Sequence, residues 1–191
     1  MNVLIGIISV IVIIYLFWQY QELKKFQITQ YEMESQKVKR KINIVVISDL
    51  HSFSYGMENR LLFKAVKNAA PDLILIPGDL IVTAKTEKYD VSLRFVRQLC
   101  TLGVPVFFSS GNHESKAALP ESESFFAFQQ YYRKLEQSGL TILNNKSCEV
   151  SVQGTNVCIS GLELPLSSYK KGKKPYLEND FLERQLGASS K

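Results

Sequence analysis

The feature that most constrains the fold of this chain is an alternation of short apolar segments with amphipathic stretches of helical period. The apolar segments, which we predict to be strands, are Ile42–Ser48, Leu73–Ile76, Val104–Phe108 and Leu140–Leu143. The predicted helices between them are Glu58–Ala70, Val91–Leu102 and Ser122–Ser138. Strands that are almost continuously apolar are typical of a sheet buried on both faces. The order therefore predicts an α/β fold in which helices cover a parallel sheet.

A β-hairpin is predicted after the fourth strand, from Ser147–Val152 and Asn156–Ser160, with its turn at Gln153–Asn156. In that register Cys148 and Cys158 project from opposite faces of the hairpin, so a disulfide between them is not expected. Three cysteines in all, an odd number, agree with free, packing thiols.

Two further segments are predicted near the C-terminus, a helix over Glu178–Leu186 and, before it, a basic loop at Lys170–Lys174. We expect this loop to be solvated, with contact to a membrane or to phosphate as the alternative. The helix Ser122–Ser138 also carries an aromatic cluster, which we expect to pack in the core, with a substrate groove lined by a few of its members as the alternative. Its members are Phe125, Phe126, Phe128, Tyr131 and Tyr132.

The N-terminal segment 1–21 carries no charged side chain and is predicted to be a transmembrane anchor. As a helix it spans about 30 Å, close to the thickness of the hydrocarbon core of a bilayer. Trp18 and Tyr20 lie where an interfacial aromatic belt is found. A cleaved signal peptide and a buried core helix are the alternatives. The absence of a basic start and the bulky Phe17–Tyr20 end favour an uncleaved anchor.

The juxtamembrane linker 22–41 holds six basic and three acidic residues. This basic excess beside an apolar span predicts a single-pass protein of the cell membrane with a cytoplasmic domain. It also suits contact with anionic lipid headgroups. Nucleic acid is not expected as a partner, because the net charge of the whole chain is only +5 and no basic stripe continues through the domain at 42–191.

Residues of the types that bind metal ions in proteins follow each of the first three predicted strands. In a parallel sheet these strand ends share one edge, where ligands gather. Residues two apart in a strand point the same way, so the first two candidates can approach one ion together. Mixed oxygen and nitrogen ligands suit Mn, Fe or Zn better than Ca. The candidate metal ligands are Asp49, His51, Asp79 and Asn112.

A pair of metal ions activates a hydroxide and stabilises both oxygens of an in-line displacement, which is the arrangement that phosphate ester hydrolysis needs most. His113 is the candidate group beside the phosphate, where it protonates or steadies the departing oxygen. Glu114 is expected to orient and charge-stabilise His113. Each motif alone is a weak signal, but three in order after three strands point to one site.

The motifs Asp49-x-His51, Gly78-Asp79 and Gly111-Asn112-His113-Glu114 resemble those of the calcineurin-like metallophosphoesterases. With its N-terminal anchor the chain is most similar to membrane-associated bacterial members. The resemblance runs from about Ile42 to about Leu186. It implies a four-layer α/β/β/α sandwich and a hydrolase with two divalent ions. It also implies Asp49 and His51 on one ion, Asp79 between the ions, Asn112 on the second and His113 beside the scissile phosphate.

The chain departs from this family after His113, because no later histidine is present, whereas the family supplies further histidine ligands. One ion would have Asp49, His51 and Asp79, and the second only Asp79 and Asn112. We therefore expect a C-terminally incomplete domain that is weakly active or inactive alone, poorly stable, and left with uncovered sheet surface. The alternative is a short, inactive paralogue that acts as a membrane-bound binding or interaction module.

Overall fold

The computed structural model describes residues 2–22, 24–170, 172, 177–178 and 180–187. Its helices are α1 (Asn2–Glu22), α2 (Arg60–Asn68), α3 (Tyr89–Cys100), α4 (Asn112–Ala117), α5 (Phe125–Glu136) and α6 (Phe181–Leu186). Its strands are β1 (Ile44–Val46), β2 (Leu73–Ile76), β3 (Val106–Phe108), β4 (Thr141–Ile142), β5 (Lys146–Val152) and β6 (Thr155–Gly161). Most of the predicted basic loop and the end of the chain after Gly187 lie outside the described residues.

Strands β1 to β4 form a parallel sheet in the order β1-β2-β3-β4, which confirms the predicted α/β class. Because right-handed connections between successive parallel strands place the helices on one face, α2, α3 and α5 share a side of the sheet. The core on that side takes alternate strand residues, Ile74 and Ile76 from β2 and Val106 and Phe108 from β3.

The hairpin β5–β6 contributes no residue to the core under the helices and is attached to the sheet at both of its ends. At one end Gly161 lies against the backbone of Leu143, just after β4. At the other end the Gln153 side chain donates a hydrogen bond of 2.6 Å to Asp72, just before β2. Leu73 and Phe107, which alternate with the residues of the helix-side core, are buried on the opposite face of the sheet. Among the described residues, Ile44 and Val46 of β1 are left exposed.

Strand β1 is at the edge of the sheet, and its Ile44 and Val46 side chains are 47% and 61% exposed. The hairpin itself has the predicted register, with Cys148 opposite Ile159 and Cys158 opposite Glu149, and its cysteines are free. The turn is shorter than predicted. It consists of Gln153 and Gly154 alone, both with positive φ, which is the geometry of a two-residue hairpin turn.

Helix boundaries differ from the prediction where the backbone turns left-handed. Glu58 and Asn59 have φ of 53° and 60°, so α2 begins at Arg60. The six-residue helix α4 was not predicted. Gly111 is its N-cap and Asn112–Glu114 form its first turn, so this motif is not a loop. In the aromatic cluster Phe128 and Tyr131 are buried, but Phe126 is 76% exposed, so its predicted core position is wrong.

Helix α1 is long and apolar enough to cross a membrane, with a mean hydropathy of 1.5 over Ile5–Glu22. None of that stretch is buried in the protein, so it is not a core helix of the domain. Length and composition alone support a membrane span here, and a signal sequence meets the same criteria.

Candidate metal centre

Asp49, His51 and Asp79 come together at the carboxyl ends of β1 and β2. One ligand atom from each lies within 4.8 Å of the others, and Asp49 Oδ1 is 3.7 Å from His51 Nε2. Two carboxylates and one imidazole nitrogen form a donor set suited to one divalent transition ion. The three residues therefore fit the metal that their sequence motifs predicted.

The geometry that joins these ligands is a pair of turns rather than a continued strand. Strand β1 ends at Val46, and Asp49, His51 and Asp79 have φ of 57°, 49° and 53°. The two turns are joined by backbone hydrogen bonds, of which the one from His51 N to Asp79 O measures 2.9 Å. Strand geometry does not continue through Leu50, but Asp49 and His51 lie close enough to approach one ion together.

Two glycines allow the turn after β2 to touch the turn after β3. A Cβ atom on Gly78 would overlap the backbone of Gly111, and Gly78 has a φ of 91°. A Cβ atom on Gly111 would overlap the Asp79 carboxylate. Both positions need the missing side chain of glycine for close backbone approach.

The Glu114 carboxylate holds these two turns together from inside the protein. Its side chain is fully buried, and each oxygen accepts two backbone N–H groups. Burial raises the pKa of Glu114, while the N–H donors act in the opposite direction. The four donors are the amides of Asp79 (2.9 Å), Leu80 (2.8 Å), Ile81 (3.3 Å) and Gly111 (3.0 Å).

Glu114 was expected to orient the His113 ring, and among the described hydrogen bonds it makes none to that ring. Thr83 takes this place. Its backbone N–H donates to His113 Nδ1 at 3.1 Å, and its hydroxyl donates to the His113 carbonyl at 2.9 Å. Because a backbone amide can only donate, Nδ1 must accept. The neutral ring therefore carries its proton on Nε2.

The role of Thr83 was not predicted from the sequence, where nothing distinguishes this residue except its place four residues after Asp79. In the structure the Thr83 backbone is held by two side chains. Its carbonyl accepts hydrogen bonds from the Tyr89 hydroxyl at 2.7 Å and the Ser124 hydroxyl at 2.5 Å. A side chain that positions His113 is thus itself held from two other segments.

His113 stands beside the ligand cluster. Its ring packs edge-on against the His51 ring, with 4.9 Å between the centroids, and its backbone N–H donates to Asp79 Oδ1 at 2.9 Å. Burial lowers the pKa of His113. Asn112 is the first residue of α4, between Gly111 and His113, both of which contact Asp79. Asn112 as a metal ligand stays a prediction.

Comparison with known proteins agrees with this site. The calcineurin-like phosphoesterase family matches residues 42–182, a range that includes all three ligand motifs. A Caenorhabditis elegans protein named "Putative metallophosphoesterase" is 27% identical over 126 residues, which cover 64% of this chain and 24% of that protein. With a match over most of its length and the motif residues assembled at one edge of the sheet, this chain belongs to the calcineurin-like phosphoesterase family of hydrolases.

Proposed function

We propose that the chain is a membrane-anchored, metal-dependent phosphoesterase that hydrolyses phosphate monoesters or diesters. The observation that carries this proposal is the convergence of Asp49, His51 and Asp79 within 4.8 Å. Family membership supports the reaction class.

In this proposal Asp49, His51 and Asp79 hold one divalent ion, and Asp79 and Asn112 contribute to a second. Mn, Fe or Zn suits the donor set. Such ions would supply a Lewis acid for the phosphoryl oxygens and would lower the pKa of water. The second ion would have only a shared carboxylate and a neutral amide from these residues, so we expect it to bind more weakly than the first.

His113 and Glu114 have different roles here. The Nε2–H of His113 donates a hydrogen bond to a phosphoryl or departing oxygen, because Nδ1 is engaged by Thr83. Glu114 is a positioning residue, since its carboxylate accepts hydrogen bonds from the backbone amides of Asp79, Leu80 and Gly111 and touches no reacting atom. It keeps the turn that carries Asp79 in register with the turn that carries His113.

The domain organisation belongs to the same proposal. Residues 1–21 form the anchor, 22–41 the basic linker and 42–191 the phosphoesterase domain, on the cytoplasmic side of the cell membrane. We propose that the parallel sheet and the hairpin belong to a four-layer α/β/β/α sandwich. The core under the helices, and a hairpin that is attached to the sheet without joining that core, support this arrangement.

The test is metal binding and turnover by the full chain in detergent micelles. Mn²⁺ bound per chain is measured by mass spectrometry, and hydrolysis of p-nitrophenyl phosphate and of its diester is followed in parallel. Asp49→Asn is expected to weaken Mn²⁺ binding by more than about tenfold, because it removes a ligand charge. Asp90→Asn, an exposed carboxylate on α3, is the matched control and should change nothing. Equal Mn²⁺ binding by the two variants would refute the site.

The sparse donor set of the second ion favours one alternative, a membrane-bound binding or interaction module. Binding of a single Mn²⁺ ion with no turnover of either ester would support that module and would refute the enzyme. Turnover that depends on Asp49 and His51 would refute the module.

A further inference from the structure

Large apolar side chains are exposed on the segment that follows His51. Phe53, Met57 and Leu61 are 41%, 70% and 57% exposed. They belong to the segment Phe53–Leu61, called here the 53–61 segment, which begins two residues after a candidate metal ligand. Single exposed apolar residues are ordinary, but a contiguous group marks an interaction surface.

These side chains belong to one compact segment of the chain. The rings of Phe53 and Tyr55 pack edge-on, with 4.8 Å between the centroids. The Leu61 amide donates to the Tyr55 carbonyl at 3.1 Å, and the Leu61 side chain lies directly over Gly56. Met57 follows Gly56 directly in the chain and is itself exposed. The contacts of Phe53 with Tyr55 and of Leu61 with Gly56 therefore gather exposed apolar side chains within one short segment.

The same surface is tied to the end of the apolar helix α1. The Phe26 ring packs edge-on against Tyr55, with 5.1 Å between the centroids. Phe26 is four residues beyond Glu22, the last residue of α1. Because four residues span at most about 14 Å, the 53–61 segment lies close to the point where the helix ends.

The end of α1 has the character of a membrane interface. Trp18 and Tyr20 lie in its last turns, and the Lys24 ammonium sits 4.0 Å from the centroid of the Tyr20 ring. Aromatic rings and snorkelling lysines are typical of headgroup depth. A surface held against Phe26 is therefore at the height of the headgroups when α1 spans a bilayer.

We propose that the 53–61 segment rests on the bilayer surface, with Phe53, Met57 and Leu61 inserted at the boundary between headgroups and acyl chains. This inference rests on the proposed membrane anchor. The bilayer is the occupant that the structure favours, because the surface is continuous with the residues that leave the membrane helix. Asp49 and His51 then lie at headgroup depth, where phosphate esters carried by lipids reach them by lateral diffusion.

The experiment uses the full chain in vesicles of phosphatidylcholine with about one third phosphatidylglycerol, which supply an anionic surface for the basic linker. Trp18 is the single tryptophan, so Trp18→Phe gives a background free of native signal. Met57→Trp is compared in that background with Phe126→Trp. Phe126 is the matched control, because it is an equally exposed apolar residue, 76% against 70%, on α5.

Quenching by lipids brominated along the acyl chain is the readout. The tryptophan at position 57 is expected to lose about half of its emission, because apolar groups at the boundary lie about 5–10 Å deep. The tryptophan at position 126 is expected to keep its emission. Equal quenching at the two positions would overturn the inference, whether both are quenched or neither is. Leu61→Trp repeats the measurement if Met57→Trp does not fold.

The unmodified chain separates this inference from the proposed anchor. Quenching of the native Trp18 shows that α1 is inserted. A quenched Trp18 with an unquenched position 57 overturns the surface contact and leaves the anchor standing. An unquenched Trp18 overturns both the anchor and the contact.

Discussion

Replacing Glu114 by Gln is expected to destabilise the domain by about 2–6 kcal/mol. The substitution keeps the shape of the side chain and exchanges one carboxylate oxygen for an NH₂ group. One oxygen accepts from the amides of Asp79 and Gly111, and the other from those of Leu80 and Ile81. In either orientation of the amide, its NH₂ group faces two N–H donors and both hydrogen bonds are lost.

The magnitude follows from the burial of these donors. Each buried group left without a partner costs about 1–3 kcal/mol, and two are affected. A domain of this size has a free energy of unfolding of about 5–15 kcal/mol, so the loss is a large share of the total. Loosening of the turn that carries Asp79 should also weaken Mn²⁺ binding, although Glu114 is not a proposed ligand.

The effect is measured by unfolding the full chain with denaturant in detergent and using the protease susceptibility of the domain as the readout. Glu136→Gln, an exposed carboxylate at the end of α5, is the control and should change the free energy of unfolding by less than about 0.5 kcal/mol. If Glu114→Gln behaved like Glu136→Gln, the four amide contacts would not hold the two turns, and the reasoning would be refuted.

Other predictions address the remaining contacts. The chain has two histidines, so the ¹⁵N NMR signals of His113 are identified by substituting His51. In neutral His113 they should show Nδ1 unprotonated and Nε2 protonated. A protonated Nδ1 would contradict the role of Thr83. Gly78→Ala should cost about 3 kcal/mol or more in thermal unfolding, because Gly78 has positive φ and a Cβ would overlap Gly111. Gly103→Ala also has positive φ but open space, so it should cost less. The Asn43 N–H holds the pKa of Asp72 below its usual 3.8. A depressed folded pKa contributes stability above the unfolded pKa that is lost as pH falls through the folded pKa. The free energy of unfolding should therefore fall more steeply below about pH 4 in the wild type than in Asp72→Asn. Parallel pH profiles of the two proteins would contradict this.

The ligand motifs could be predicted from the sequence because each follows a strand directly, so the position of the strand alone gives the position of the motif. Parallel strands bring their carboxyl ends to one edge, so Asp49, His51 and Asp79 could be predicted to meet. The reason offered for the pairing of Asp49 and His51 was wrong in detail, since left-handed turns rather than strand alternation bring them together.

The contacts that hold the ligand-bearing turns in place could not be predicted from the sequence. Glu114 reaches amides 33 to 35 residues away, and Thr83 reaches His113 across 30 residues. Neither contact has a periodic or local signature. The exposure of Phe126 was missed for the same reason, because an aromatic residue in a helix shows no sign of which face the rest of the chain covers.

The sequence by itself determined the fold class, the order of the sheet strands and of the longer helices between them, the hairpin register, and the meeting of Asp49, His51 and Asp79. These depend on periodicity and on residues placed at strand ends. Only the tertiary structure decided that Glu114 holds the two turns together, that Thr83 sets the tautomer of His113, and that Phe26 brings the 53–61 segment to the end of α1. Those roles depend on which distant groups are brought within hydrogen-bonding or packing distance, and that is a property of the folded chain.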